Sequence, residues 1–136
     1  MCGISGFFGN KVLDKNILYQ TLSLMSSRGP DNQEIKQIKL SHKKLYFLHS
    51  RLSIIDVEPR SNQPFEIENF IITFNGEIYN YLEIRKELIK KGEKFKTNSD
   101  TEVLLKSYKI YGEKCVNYFE GMWSFAIYNK KKSTLF

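Results

Sequence analysis

The sequence predicts an α+β fold in which helices lie above and below sheets of strands. Three observations carry this prediction. Phe70-Ile71-Ile72-Thr73-Phe74 and Met122-Trp123-Ser124-Phe125-Ala126-Ile127-Tyr128 are apolar on both faces, and strands of that kind are covered on both sides. Between them lie two helix starts, Asn80 followed by Glu83 and Ser99 followed by Glu102, the second a clean capping box. The chain has 136 residues, 41% of them hydrophobic and 14% aromatic, which suits a single domain with a packed core and argues against disorder.

Each element follows in order. Ile4 to Phe8 reads as a strand, with Gly3, Gly6 and Gly9 allowing close backbone approach. Asp14 caps a helix to about Ser26, whose apolar positions Ile17, Leu18, Leu22 and Met25 have helical spacing. Arg28-Gly29-Pro30-Asp31 ends it as a turn or loop. Gln33 to Leu40 is a weakly patterned strand. Lys44 to Leu52 is a richer one, with Leu45, Phe47 and His49 on one face and Tyr46 and Leu48 on the other, and Ser53 to Asp56 continues it. A polar loop from Val57 to Gln63 leads into Pro64-Phe65 and the strand at Phe70–Phe74. Asn80 caps a helix to about Lys91 that ends at Gly92, with a core face of Tyr81, Ile84, Leu88 and Ile89. The helix opened by Ser99 buries Val103, Leu104, Ser107 and Tyr108 and stops by Gly112. A short helical piece then spans Glu113 to Tyr118. After Met122–Tyr128 the chain turns at Asn129–Lys132 into a return strand, so the sheet is expected to be incomplete at its C-terminal end.

Composition narrows the function classes. Two cysteines, Cys2 and Cys115, make no disulfide framework. There is no apolar run long enough to span a bilayer and no secretory signal, so neither a membrane role nor export is expected and the expected compartment is the cytoplasm. The net charge of +6 comes mostly from lysine, clustered at Lys43-Lys44, Lys90-Lys91 and Lys130-Lys131-Lys132. These sit at turns and a helix end, which fits a solvated surface better than a nucleic-acid face, though the charge could still steer anionic ligands. His42 and His49 have no metal-ligand spacing, so no metal is expected. Cys115 lies in an apolar stretch and reads as an inert core thiol.

Four features admit a chemical reading beside a plainer one. Cys2 follows the initiator Met1; it is either a small apolar residue opening a strand or, after methionine removal, a thiol with a free α-amine. Such an amine, with a reference pKa of about 7.7–8.0, can take the proton of a thiol near 8.5, so nucleophile and base come from one residue. Asn75-Gly76 is either a hairpin turn or an oxyanion site made of a side-chain amide and a backbone N–H. Arg51 is either a surface arginine or a bidentate clamp for a carboxylate. Asp100 is either a helix-start acid that suits the dipole or the partner of an ammonium. Together the chemical readings describe acyl transfer from an α-amino acid with a side-chain amide, and they fit glutamine.

The motifs Met1-Cys2-Gly3-Ile4, Arg28-Gly29-Pro30-Asp31, Arg51-Leu52-Ser53-Ile54-Ile55-Asp56, Gln63-Pro64, Asn75-Gly76-Glu77-Ile78-Tyr79-Asn80, Ser99-Asp100-Thr101-Glu102-Val103 and Glu120-Gly121-Met122 run the whole length. In this order and spacing the chain resembles the glutaminase domain of class II glutamine amidotransferases, most closely the glutamine-hydrolysing asparagine synthetases. Phosphoribosyl-pyrophosphate amidotransferase and glucosamine-6-phosphate synthase resemble it less at Arg28–Asp31 and Asn75–Asn80. The resemblance implies an N-terminal-nucleophile hydrolase fold, an αββα four-layer sandwich of two antiparallel sheets between helices, over residues 2–136, with the synthetase domain absent. It implies Cys2 as nucleophile and Asn75 and Gly76 as oxyanion donors. Arg51 would hold the glutamine α-carboxylate, Asp100 with Glu77 the α-ammonium, and Leu52, Ser53, Ile54 and Ile55 would line the pocket. Arg28 would hold the site's shape. The residue before Arg28 is Ser27, where the family often has histidine. The glutaminase half-reaction needs no cofactor; ATP and Mg belong to the synthetase domain. The implied partners are L-glutamine and a synthetase domain or polypeptide that receives ammonia, and a homodimer is possible. Two alternatives stand beside this reading: a related amidotransferase with another acceptor, and an inactive truncated remnant that only binds a partner.

Overall fold

The computed structural model describes all 136 residues. One sheet has the order β1 (Gly3–Gly9), β3 (Lys44–Arg51), β2 (Asn32–Lys39). The other has the order β4 (Phe65–Ile67), β5 (Phe70–Ile78), β6 (Gly121–Asn129), β7 (Thr134–Leu135). Every pairing is antiparallel. Three α-helices, α1 (Lys15–Met25), α2 (Tyr81–Lys90) and α3 (Asp100–Tyr111), join them, with 3₁₀ turns at Ser26–Arg28, Pro59–Ser61 and Gly112–Tyr118. No helix is long and apolar enough to cross a membrane.

The period-2 alternation of β3 and β5 builds three layers of core. Tyr46 and Leu48 meet Leu18 and Leu22 of α1. Leu45 and Phe47, on the opposite face, meet Ile71 of β5 and Tyr128 of β6. Beyond them Ile72, Phe74 and Ile78 of β5 pack on Ile84 and Leu88 of α2 and Val103, Leu104 and Leu105 of α3. The stacking is therefore helix, sheet, sheet, helix, the four-layer arrangement the resemblance implies. Nine buried residues make up the third cluster against four in each of the others. At about 1.5–3 kcal/mol for each fully buried large apolar side chain, the layer of α2 and α3 contributes the largest share of the burial energy.

Several local expectations change. Ser53–Asp56 does not continue β3; the chain leaves the sheet after Arg51 and loops to Gln63. Asn75-Gly76 is not a turn: β5 runs through it, with Asn75 opposite Ser124 and Gly76 opposite Trp123. The hairpin of β4 with β5 carries no Asn-Gly signal; its turn is made by Glu68, at φ 53°, and Asn69. Asn80 stands at the start of α2 without capping it, because its side chain binds elsewhere, donating to the Tyr118 carbonyl and accepting from the Glu120 N–H. Ser99 does cap α3, accepting from the Glu102 N–H. The Glu102 carboxylate turns instead to the N–H groups of Lys96 and Thr97, so only half of the capping box forms. Ile17 and Ile89, expected in the core, are half exposed. Of β6 only the end from Ile127 to Asn129 is buried; Met122 is 63% exposed.

Candidate active site

The strand ends converge at one end of the sandwich on a cleft of about 160 Å³. Its wall includes Cys2 at the head of β1, Arg51, Leu52, Ile54 and Ile55 at and after the end of β3, Gly76 and Glu77 late in β5, and Asp100 at the start of α3. Met1, Ser61, Gln63, Phe74, Ser99, Thr101 and Met122 complete it. Eight of the ten residues singled out in the sequence thus share one wall. Ser53 and Asn75 do not line it.

Cys2 is half-buried, and its Sγ accepts from the Leu52 N–H at 3.4 Å. The Arg28–Asp31 turn holds it from behind. Arg28 Nε donates to the Cys2 carbonyl at 3.0 Å. The Asp31 N–H donates to the Arg51 carbonyl, and its carboxylate accepts from the Ser53 N–H at 2.7 Å, which takes that group away from the cleft. Gly29 sits so close to β3 that a Cβ would lie 2.2 Å from the Ser50 carbonyl oxygen. The turn therefore fixes both the start of β1 and the loop that faces it.

The register of β5 decides which of its amides are free. Tyr79 donates to the Glu120 carbonyl, so the odd residues of β5 point their backbone groups at β6 and the even residues point theirs away. On that far side β4 ends opposite Ile72. Beyond it the Phe74 N–H donates to Gln63 Oε1 at 2.7 Å, and the Ile78 N–H donates to Asp100 Oδ2 at 3.2 Å. Gly76 lies between them, its N–H turned the same way with no strand to meet. A Cβ at Gly76 would come within 2.3 Å of the Met122 carbonyl oxygen, so only glycine fits. Asn75 precedes it half-buried, with its Oδ1 buried and unpartnered.

Arg51 reaches the cleft, but its terminal N–H groups are already engaged. Nη1 donates to the Glu58 carbonyl at 3.1 Å and to Asn62 Oδ1 at 2.6 Å, and Nη2 donates to the carbonyls of Ile55 and Asp56. The expected free bidentate fork is therefore a loop organiser here, and Nε is the donor left over. Asp100 is buried, and burial raises its carboxyl to about 6. The N–H groups of Ile78, Thr101 and Asp100 itself oppose that rise, and the charge of Glu77 adds to it. A buried carboxylate held this way has a strong preference for a cationic partner.

The sequence reading did not single out His49, Gln63 or Asp31 as partners of the site. Each acts on a backbone atom at least 11 residues away, and no residue-type pattern reports that. The Gln63-Pro64 pair and the Arg28–Asp31 motif were the available signals.

The family model for the glutamine amidotransferase domain matches residues 1–136, which fold here as two antiparallel sheets between helices; the chain belongs to that family. Among its relatives, it is 41% identical over 143 residues to asparagine synthetase [glutamine-hydrolyzing] 1 of Bacillus subtilis, an alignment that covers 100% of this chain and 22% of that protein. With asparagine synthetase [glutamine-hydrolyzing] of Zea mays it shares 35% identity over 133 residues, covering 93% of this chain and 21% of that protein. The chain thus spans about a fifth of the length of these relatives. Its fold matches the solved glutamine phosphoribosylpyrophosphate amidotransferase of B. subtilis in complex with ADP and GMP. The TM-score is 0.71 at 20% identity, over 96% of this chain and 35% of that one.

Proposed function

We propose that residues 2–136 form the glutaminase part of an asparagine-synthetase-type enzyme. The observation that carries this reading is the register of β5, which leaves the Gly76 N–H unpaired in the cleft that Cys2 also enters. Removal of Met1 frees the Cys2 α-amine. The amine takes the thiol proton, and Sγ attacks the side-chain amide carbon of L-glutamine. The oxyanion receives hydrogen bonds from the Gly76 N–H and the Asn75 amide. The proton passes to the leaving nitrogen, the C–N bond breaks, and ammonia departs from a glutamyl thioester. Water then adds to the thioester, and the C–S bond breaks to give glutamate and the restored thiol. Asp100 with Glu77 receives the substrate ammonium. The Arg51 charge and the loop it holds, Leu52 to Ile55, receive the carboxylate.

None of these steps needs a metal or nucleotide. The ammonia serves an ATP- and Mg-dependent amidation of aspartate at a synthetase domain or polypeptide; the names of the relatives, glutamine-hydrolysing asparagine synthetases, support asparagine as the product of that second half. A related amidotransferase with another acceptor is the alternative for that second half.

The test is glutamate release from L-glutamine by the purified protein, with Cys2→Ala as control and the intact mass recorded. The expected result is Cys2-dependent release by protein lacking Met1. Active protein that retains Met1, or release that survives Cys2→Ala, would refute the scheme.

A further inference from the structure

His49 is fully buried on the inter-sheet face of β3 and takes no part in the scheme above. It lies opposite Ile4 of β1, two residues from Cys2. Its ring crosses to the other sheet, where Nε2 stands 3.1 Å from the Phe74 carbonyl oxygen. A carbonyl only accepts, so Nε2 carries the proton. Nδ1 is buried with no partner, and burial holds the ring neutral. The N–H of the same residue, Phe74, is taken by Gln63 Oε1. The Gln63 amide in turn donates to Thr101 Oγ1, beside Asp100. Phe74 is thus gripped at both of its outward backbone groups by side chains, one from the sheet that carries Cys2. The next residues on β5 are Asn75 and Gly76.

We propose that His49 is a positioning residue for glutamine cleavage: its Nε2–H, working with Gln63 on the other side of Phe74, fixes the β5 backbone so that the Asn75 amide and Gly76 N–H stay aimed at the carbonyl oxygen of the amide Cys2 attacks. The role presupposes the glutaminase reading of the cleft. Oxyanion donors must lie about 2.7–3.1 Å from the charge that develops, and loss of one costs roughly 10²–10³ in kcat. That charge exists only in the transition state, so a slack β5 lowers kcat and leaves substrate binding nearly untouched.

The experiment compares the full wild-type chain with His49→Gln, which keeps a donor near the Nε2 position, His49→Leu, which removes it, and Gln63→Met, which releases the Phe74 N–H. Glutaminase kcat and KM, glutamate affinity and the rate of Cys2 alkylation by iodoacetamide are measured on each. His49→Leu is expected to lose roughly 10²-fold in kcat, with KM, glutamate affinity and alkylation within about threefold of wild type, and His49→Gln is expected to recover most of the loss. Wild-type kcat in a folded His49→Leu protein overturns the inference. So does an equal loss in His49→Gln and His49→Leu, or a loss shared by all four readouts, because either marks a purely structural role. Should His49→Leu not fold, Gln63→Met carries the same comparison, and a low kcat in His49→Gln decides against the role. If the wild type releases no glutamate, the glutaminase reading fails and this inference with it; if the wild type is active and the variants match it, only this inference fails.

Discussion

Asp100 gives the single-residue view of the site. Its carboxyl is raised to about 6 by burial, so near neutral pH it is mostly ionised and has no counter-charge among its hydrogen-bond partners. A substrate ammonium would supply one. Binding then requires the ionised form, and glutamine affinity should fall as the pH drops through the pKa. We expect KM to be flat above about pH 7 and to rise toward tenfold per unit below about pH 6. Asp100→Asn is expected to raise KM at every pH and abolish that rise; a wild-type KM flat from about pH 8 to 5 would contradict the assignment. The candidacy of Cys2 and Asp100 was legible because a thiol and a carboxylate carry their chemistry in the side chain, and the structure brings both to one cleft. The engagement of Arg51 was not. A guanidinium's charge suggests a carboxylate, yet its donors here serve four acceptors of the 55–62 loop, and nothing in that loop's polar composition marks carbonyls turned inward.

At the scale of elements, the Arg28–Asp31 turn after α1 reaches Cys2, β3 and the 52–62 loop together. Gly29→Ala would drive a Cβ into the Ser50 carbonyl and push the whole turn outward. Overpacking of this kind costs about 1–3 kcal/mol, which thermal or urea melting would register. Because Arg28 and Asp31 move with the turn, kcat should fall further than the loss of folded protein explains. A destabilised variant with full kcat per folded molecule would show that the turn serves stability alone. The two-faced burial of β3 could be read from its run of large residues. The length of β5 could not, because Asn-Gly favours a turn locally and only the pairing of nine residues with β6 overrides it. Ser53–Ile55 is apolar enough for a strand, but the Asp31 carboxylate captures its backbone before it can pair.

For the whole molecule, two buried groups set opposite responses to acid. His49 is lowered to about 4, by burial first and then by the charge of Arg51, against the pull of the Phe74 carbonyl. In the unfolded chain it titrates near 6.5, so its contribution to stability is full above 6.5 and is lost as the pH falls toward 4. Asp100 is the reverse. Its folded value of about 6 lies above the unfolded 3.8, so its contribution is full below 3.8 and is lost as the pH rises through 6. Each amounts to about 3 kcal/mol over that window, and they largely cancel in the native protein. The variants separate them. From about pH 7 to 4, Asp100→Asn should lose roughly 3 kcal/mol relative to wild type, and His49→Gln should gain a similar amount, as read from urea midpoints. Parallel pH dependences in all three proteins would mean that neither group is shifted. The count of four layers came only from the resemblance, whereas helices on the outside of the sheets were readable from the doubly apolar run of β5 and the Ser99 cap. That both buried groups lie close to one cleft was not, because the approach of β3 to β5 is fixed by packing between sheets far apart in sequence.

Every strand that feeds the cleft does so from the same end, which leaves a far end about 25 Å away, the reach of strands of eight or nine residues. There the turns at 40–43 and 130–133 are mostly exposed, the second carrying Lys130, Lys131 and Lys132, and none of their residues lines the cleft. The molecule has, in effect, a working pole and a spare one. A foreign peptide spliced between Ser41 and His42, or between Lys131 and Lys132, would cost only the modest entropy of a longer loop, about 0.6 kcal/mol for each doubling. Such grafts should leave glutaminase kcat and KM within about twofold, so the spare pole could accept a reporter, a tether or a second domain without touching the chemistry.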